Sequence, residues 1–172
     1  MRAVVVYESM YGNTKWIAES IAEGIRVHLP VEVIEVGSAP AEVAADIGLL
    51  VVGGPTHAFG LSRPSTRHDA AQRKGGSVVS DRIGLREWLA ALARPAQRVV
   101  VATFDTKIIK PRLPGSGARG AEKRLRRLGF DRAVPPETFY VEDAQGPLVD
   151  GELSRACVWG ERLGAAVEVP VG

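Results

Sequence analysis

The chain has few of the residues that would point to a secreted, metal-bound or membrane-embedded protein. Only one of its 172 residues is a cysteine, Cys157, which excludes an internal disulfide and a metal site built from several cysteines. No apolar run approaches the ~20 residues that a membrane-spanning helix needs. The N-terminus also lacks the basic-then-apolar pattern of a secretion signal. We therefore expect a cytoplasmic protein without a membrane span.

Acidic residues are scarce in the middle of the chain. Residues 61–132 contain 17 Lys/Arg and 6 Asp/Glu, a local charge of +11, whereas the whole chain carries only +2. Such asymmetry predicts a basic face for an acidic partner or a polyanionic ligand, although a merely solvated basic surface would give the same pattern. Aromatic residues make up only 6% of the chain and are not interleaved with these basic residues, which argues against nucleic-acid binding.

Short apolar runs alternate with helical patterns along the chain. The runs predict five strands, at residues 2–7, 31–36, 47–52, 98–103 and 137–141. Helices are predicted at residues 13–28, in the segment "LREWLAALA", and at residues 118–128 and 152–167. Residues 61–81 are polar and aperiodic and are predicted to form a long loop, with Ser80 or Asp81 capping the helix that follows.

This alternation predicts an α/β fold. Parallel strands need crossover connections, so the order implies a doubly wound five-stranded parallel sheet with helices on both faces. No internal repeat or linker divides the chain, and we expect one domain over residues 1–172. Ligands of such sheets bind at the carboxyl ends of the strands.

Three predicted strand ends carry small, hydroxylic or aromatic residues. The first loop is Ser9, Met10, Tyr11, Gly12, Asn13 and Thr14, and the second loop is Pro55, Thr56, His57, Ala58, Phe59 and Gly60. The third segment is Thr103, Phe104, Asp105, Thr106 and Lys107. Together they predict a pocket with a phosphate end and an apolar slot.

The first loop narrows the choice of anion. A nucleoside-triphosphate loop needs a Gly-Lys-Ser/Thr sequence, and a dinucleotide fingerprint needs three spaced glycines. The first loop has neither, since Gly12 is its one glycine. Hydroxyls of Ser9 and Thr14, with N–H groups at a helix N-terminus, suit one terminal phosphate without an arginine.

The ordered motifs resemble the flavodoxin family over nearly the whole chain. They are "SMYGNT" after a valine-rich first strand, "GGPTHAFG" after the third strand, and the tail "FYVEDAQGPLVDGEL". The resemblance implies strand order 2-1-3-4-5 and bound flavin mononucleotide (FMN). The first loop departs from the family pattern at Tyr11, and its Ser-x-Tyr-Gly form is similar to that of flavodoxin-like quinone reductases.

The resemblance assigns roles to the other two segments. His57 or Phe59 would stack on the flavin ring, and residues 103–106 would bond its pyrimidine edge through backbone groups, with Phe104 nearby. Typical flavodoxins place a tyrosine in the third segment. None lies between residues 103 and 120 here, so the second stacking partner stays open. Lys107 would place a positive charge near the ring and ease formation of the fully reduced, anionic flavin.

Two function classes follow, with a third beside them. The first is an electron carrier that docks an acidic redox partner, and the second is an FMN-dependent reductase that takes hydride from NAD(P)H and passes electrons to a quinone. Tyr11 and the basic segment favour the reductase, whereas the lack of an evident catalytic residue favours the carrier. The third is a flavin-free interaction module on the same fold. The sequence predicts no metal site and leaves the oligomeric state undetermined.

Overall fold

The computed structural model describes residues 1–168, in which helices flank both faces of a parallel sheet. The strands are β1 (Arg2–Tyr7), β2 (Val31–Glu35), β3 (Ile47–Pro55), β4 (Val100–Ile108), β5 (Asp131–Arg132) and β6 (Glu137–Val141). The helices are α1 (Asn13–Ile25), α2 (Pro64–Lys74), α3 (Leu85–Ala91), α4 (Gly117–Arg127) and α5 (Glu152–Glu168). Within residues 1–168, none of these helices has the length and apolarity required to cross a bilayer.

The predicted strand order 2-1-3-4-5 is confirmed, with a break in the fifth position. The sheet runs β2-β1-β3-β4, and every pair of neighbouring strands is parallel. β5 pairs with the first residues of β4, and β6 pairs with residues 104–108 at its end. The predicted last strand, residues 137–141, is β6, and the short strand β5, which the sequence did not predict, shares its position in the sheet.

The alternation of side chains in β1 explains why both faces of the sheet are covered. Val5 and Tyr7 belong to the apolar cluster formed with α1 and α5, whereas Val4 and Val6 belong to the cluster formed with α3 and α4. Successive residues of a strand point to opposite faces, so a continuous apolar run must be buried on both sides. The carboxyl ends of β1, β3 and β4 consequently meet at one uncovered edge.

The prediction of a long loop over residues 61–81 was wrong, because this segment contains α2. Only Arg67 and Ala70 of its eleven residues are buried, so the helix has no apolar periodicity to detect. Its ends carry the only local signals. Pro64 occupies the first helical position, and Gly75 ends the helix with a φ of 78°.

The prediction that residues 103–107 form a loop was also wrong. β4 continues to Ile108, and its backbone pairs with β3 on one side and β6 on the other. Two of the polar side chains inside this strand, Asp105 and Thr106, have hydrogen-bond partners in other elements. Asp105 accepts hydrogen bonds from Thr56 and Ser116, and the hydroxyls of Thr14 and Thr106 are 2.7 Å apart.

Neither Ser80 nor Asp81 caps the helix that follows, so that prediction needs a correction too. α3 begins after Gly84, whose N–H donates to the Glu87 carboxylate at 3.2 Å. Ser80 instead bonds the first loop, where its hydroxyl accepts from the Ser9 N–H and its own N–H donates to the Ser9 carbonyl. A residue far along the chain thus supports the candidate site.

Candidate functional site

A cleft of about 390 Å³ opens at the carboxyl edge of the sheet. The first loop and the second loop form two of its walls, and α2 forms a third. Of the five residues of the third segment, only Thr106 and Lys107 line the cleft. The lining residues are Ser9, Met10, Tyr11, Asn13, Thr14, Pro55, Thr56, His57, Ala58, Thr66, Asp69, Ala70, Arg73, Thr106, Lys107, Ile108, Leu113, Val141 and Ala144.

The first loop is held in a fixed conformation by its own serine and glycine. The Ser9 hydroxyl accepts a hydrogen bond from the Gly12 N–H at 3.1 Å, and Ser9 is fully buried. Gly12 has a φ of 99°, in the left-handed region where a side chain is costly. Gly12 immediately precedes α1, and its conformation directs the backbone of the first loop into the axis of that helix.

Unpaired backbone donors line this loop. The N–H groups of Met10, Tyr11, Asn13 and Thr14 have no acceptor among the residues that the structure describes, 1–168. They lie at the N-terminus of a 13-residue helix, where the macrodipole favours negative charge. All four residues line the cleft. This arrangement is a cradle for a small anion such as a phosphate.

Tyr11, the unusual residue of the first loop, connects that loop to α2. Its hydroxyl donates a hydrogen bond to the Ala70 carbonyl at 3.1 Å. Its ring packs on a small apolar cluster that includes Met10, Ala70 and Val78. Tyr11 therefore fixes the distance between the anion cradle and the helix that forms the opposite wall.

A buried polar network holds α2 from behind. The Arg67 guanidinium donates to the Ser62 hydroxyl at 2.8 Å and to the Glu87 carboxylate at 2.5 Å. It also lies 3.8 Å from the carboxylate of Glu8, which accepts a hydrogen bond from Ser62. Glu8 is completely buried at the end of β1, and this burial raises the pKa of its carboxyl. The network joins β1, α2 and α3 directly beneath the cleft.

The second loop is a tight turn closed by two backbone hydrogen bonds between His57 and Gly60, at 2.8 and 3.0 Å. Its central residues Ala58 and Phe59 have φ values of 44° and 73°, which is the backbone sign of a type I′ turn. The Phe59 side chain is 58% exposed and does not belong to the cleft lining. Of the two stacking candidates, only His57 faces the cleft.

His57 is neutral at physiological pH. Burial lowers the pKa of its imidazole to about 4, and the nearby charges of Arg67 and Arg73 act in the same direction. Its Nδ1 atom lies 3.1 Å from the Thr66 hydroxyl of α2. His57 thus gives the cleft a flat, uncharged wall that is attached to α2.

The third segment acts mainly beneath the cleft. The Asp105 carboxylate oxygen Oδ2 accepts from the hydroxyls of Thr56 and Ser116, at 2.8 and 2.6 Å, and from the N–H of Ala118. Asp105 therefore ties the second loop to the start of α4. Phe104 is fully buried and packs edge-on against Phe139 and Trp159.

These contacts correct the role expected for residues 103–106. Their backbone groups take part in sheet pairing, which leaves them unable to serve as the predicted donors to a ring edge. Thr103, Phe104 and Asp105 do not line the cleft. Lys107 does line it, and its ammonium donates to the Gly115 carbonyl at 2.8 Å.

Sequence reasoning missed the wall that α2 contributes. Thr66, Asp69, Ala70 and Arg73 line the cleft and follow helical spacing, three or four residues apart. The signal was detectable once Pro64 is taken as a helix start. The helix shows no apolar periodicity in the sequence, because this face of α2 lines a cleft and does not pack on an apolar core.

Comparisons with known proteins identify the fold. No model of a protein family matches the chain, and no curated protein matches it. Among solved structures, a flavodoxin from the domain Archaea is 22% identical, covers 98% of this chain and 100% of its own, and has a TM-score of 0.70. Flavodoxin 1 from Bacillus cereus is 17% identical over 95% of this chain and 97% of its own, with a TM-score of 0.67. A WrbA-like flavodoxin from Agrobacterium tumefaciens is 20% identical over 96% of each chain, with a TM-score of 0.57. The chain has the flavodoxin fold.

Proposed function

We propose that this protein binds FMN and carries electrons between a reductase and an acceptor protein. The observation that supports this most directly is the row of unpaired N–H groups in the first loop, at the head of α1 and open to the cleft. FMN, when bound, supplies reversible transfer of one or two electrons. The structures of similar fold are named flavodoxins, which agrees with the proposal.

The residues of the cleft fit the two ends of such a ligand. The N–H groups of Met10, Tyr11, Asn13 and Thr14 suit the terminal phosphate, because they are donors without acceptors among residues 1–168 at a positive helix end. Several other side chains of the cleft are uncharged or apolar, including Pro55, His57, Ile108 and Leu113. A flat ring placed between them would be shielded from water on both faces.

The titratable groups of the cleft favour a carrier over a catalyst. His57 is neutral and is bonded to Thr66, and the Lys107 ammonium is bonded to a backbone carbonyl. No acid–base pair stands among the cleft residues that the structure describes. Electron transfer between a buried ring and a docked partner needs neither a general acid nor a general base, whereas substrate catalysis usually does.

The partner in this proposal is a redox protein with an acidic surface. α4 carries five cationic residues near the cleft-forming segments, namely Arg119, Lys123, Arg124, Arg126 and Arg127. Arg86 of α3 lies close enough to Arg124 and Arg63 for their charges to lower its pKa, after the larger effect of burial. Such a concentration of positive charge would accelerate association with an acidic protein.

An NAD(P)H:quinone-type reductase is the second candidate. The observation in its favour is Tyr11, which links the first loop to α2 and gives the cleft a third wall. That wall would confine a nicotinamide or a quinone beside the ring. One of the proteins of similar fold is named a WrbA-like protein, so the fold is not limited to the two flavodoxins compared above.

Two measurements on the purified protein test the proposal. The first is titration with FMN, followed by quenching of flavin fluorescence, and a chain that binds no FMN would leave only a flavin-free interaction module. The second is steady-state NADPH oxidation with and without a quinone, beside reduction by a ferredoxin reductase. Rapid reduction by the reductase without NADPH turnover supports the carrier. Quinone-dependent turnover would replace it with the enzyme.

A further inference from the structure

Arg73, in the last turn of α2, lies in the cleft that we propose holds the phosphate of FMN. It lines the same cleft as Ser9, Met10, Asn13 and Thr14. We infer that the Arg73 guanidinium is a ligand of that phosphate and completes the anion cradle from the opposite wall. The inference rests on the proposed FMN site, and it revises the expectation that this phosphate is held without an arginine.

The path of α2 across the cleft places Arg73 at the phosphate end. Near its start, Thr66 contacts His57 of the second loop. In its middle, the Ala70 carbonyl accepts from Tyr11 of the first loop. At its end, the Arg73 carbonyl accepts from the Gln145 side chain at 3.4 Å, and the Gln145 carbonyl accepts from the Asn13 side chain at 3.2 Å. The backbone of Arg73 is therefore linked through Gln145 to the start of α1, and its charge is also near enough to His57 to act on the pKa of that imidazole.

The charge of Arg73 is available for a ligand. Its side chain forms no salt bridge or hydrogen bond with any of the described residues 1–168, and it is exposed. The other cation of the cleft, Lys107, already donates to the Gly115 carbonyl. Arg67 of the same helix is buried and bonded to Ser62 and Glu87. Arg73 alone among these three combines a place in the cleft with a free guanidinium.

The chemistry of a terminal phosphate suits this position. A phosphate monoester carries close to two negative charges at neutral pH and has three acceptor oxygens. The N–H groups of the first loop can approach it from one side only, along the axis of α1. A guanidinium presents a planar fork of donors that matches two phosphate oxygens. Arg73 would supply this fork from the solvent side and neutralise charge that the helix dipole leaves uncompensated.

The rigidity of α2 makes the contact specific. Tyr11 and Arg67 hold this helix through four hydrogen-bonded or ionic contacts, to the first loop, Ser62, Glu8 and α3, so the backbone of Arg73 does not have to be ordered on binding. Preorganisation lowers the entropy that a long side chain loses when it binds. The expected ligand is thus one with a phosphate, and a flavin without a phosphate gains nothing from Arg73.

The test compares two charge-removing variants in the same helical turn. Arg73→Gln removes the proposed ligand, and Lys74→Gln removes an equal charge from a residue that does not line the cleft. Affinities for FMN and for riboflavin, which lacks the phosphate, are measured by fluorescence quenching at two salt concentrations. We expect Arg73→Gln to bind FMN roughly tenfold more weakly or worse, with a smaller salt dependence, and to bind riboflavin as the unmodified protein does.

Each outcome decides the matter. Equal FMN affinity for Arg73→Gln and Lys74→Gln would overturn the inference and leave the proposed FMN site intact. An equal loss for FMN and riboflavin would overturn it too, because Arg73 would then act on the ring or on the fold. If the unmodified protein bound neither flavin, the proposed function would fail together with the inference. Circular dichroism of both variants checks that the fold is unchanged.

Discussion

The Tyr11 hydroxyl and the Ala70 carbonyl are joined by a hydrogen bond of 3.1 Å that closes α2 onto the anion cradle. Tyr11 belongs to the first loop, which the sequence predicts to bind a ligand. Ala70 belongs to α2, a helix that was not predicted from the sequence. Because Ala70 and Arg73 share one face of α2, this bond also sets the position of the arginine that we assign to the phosphate.

Replacing Tyr11 by threonine tests that connection. We expect Tyr11→Thr to lower the free energy of unfolding by about 2 kcal/mol, because it removes a partly buried ring together with its hydrogen bond. FMN affinity should fall as well, since α2 loses its contact with the loop. Urea denaturation and fluorescence titration measure the two effects. Tyr140→Phe is the control, because Tyr140 is 37% exposed and lies outside the cleft. Unchanged FMN affinity in Tyr11→Thr would show that Tyr11 plays no part in ligand binding.

His57 should make the protein sensitive to mild acid. The pKa of its imidazole is about 4 in the folded protein and 6.5 when unperturbed. The folded state therefore binds this proton at a lower pH than the unfolded state does. The stabilising contribution of neutral His57 is complete above pH 6.5 and is lost as the pH falls toward 4. We expect the free energy of unfolding to fall by about 2–3 kcal/mol between pH 6.5 and pH 4.

Two histidine variants isolate this effect. His57→Gln should flatten the change in stability between pH 6.5 and pH 4, whereas His68→Gln, at an exposed position of α2, should keep it. NMR titration of the imidazole C–H signals reports the ionisation directly. A His57 signal that titrated near pH 6.5 would contradict the burial of this ring against α2.

Glu8 should show the opposite dependence on pH. Burial raises the pKa of its carboxyl above the ordinary value of 4.5, against hydrogen bonds from Ser62 and Leu85 and the charge of Arg67. Its stabilising contribution is therefore complete below pH 4.5 and is lost as the pH rises through the raised pKa. We expect the stability of Glu8→Gln, relative to the unmodified protein, to increase steadily with pH above 4.5.

Glu87 provides the matched comparison, because it binds the same arginine near the surface. Burial is the largest influence on the pKa of Glu87 and acts to raise it, but the hydrogen bond and charge of Arg67, together with hydrogen bonds from the backbone, outweigh burial and lower the pKa. Glu87→Gln should therefore become less stable relative to the unmodified protein as the pH rises toward 4.5. Thermal unfolding of both variants from pH 3 to pH 8 would reveal the two slopes, and slopes of the same sign would refute this account of the network.

Lys107 should tune the reduction potential of a bound flavin. A positive charge about 8 Å from the ring would stabilise the fully reduced anion by roughly 2 kcal/mol at an effective dielectric constant near 20, before salt screening. We expect Lys107→Met to make the second one-electron reduction of FMN harder by several tens of millivolts. Lys110→Met is the control, since Lys110 is exposed and does not line the cleft. Redox titration that gave equal potentials for both variants would place Lys107 away from the ring.

Elements with a complete local signal were predictable from the sequence. β1 and α1 were found because Val4–Val6 form an apolar run and because Ile17 and Ile21 follow at helical spacing. The first loop was identified because it joins a predicted strand to a predicted helix through small polar residues. Such a short connection has few possible conformations. Gly12, which adopts the left-handed conformation that such a turn needs, stands in the predicted place.

Elements stabilised by distant residues were not predictable. β4 extends through Asp105, whose carboxylate oxygen Oδ2 accepts hydrogen bonds from Thr56, Ser116 and the start of α4. α2 is ordered by Arg67, whose partners Glu8 and Glu87 lie in other elements. Neither contact leaves a periodic trace in the sequence, because each depends on one polar side chain and its partner far along the chain.

The sequence by itself determined the alternation of strands and helices, the two buried faces of the sheet and the edge at which ligands of such sheets bind. Those features follow from short-range patterns of apolar residues, which burial enforces wherever the chain folds. Only the tertiary structure decided which side chains form the cleft. It placed Phe104 in the core and Arg73 in the cleft that the first loop lines. Such placement depends on hydrogen bonds and ion pairs between distant segments, whose partners are known only once the chain is folded.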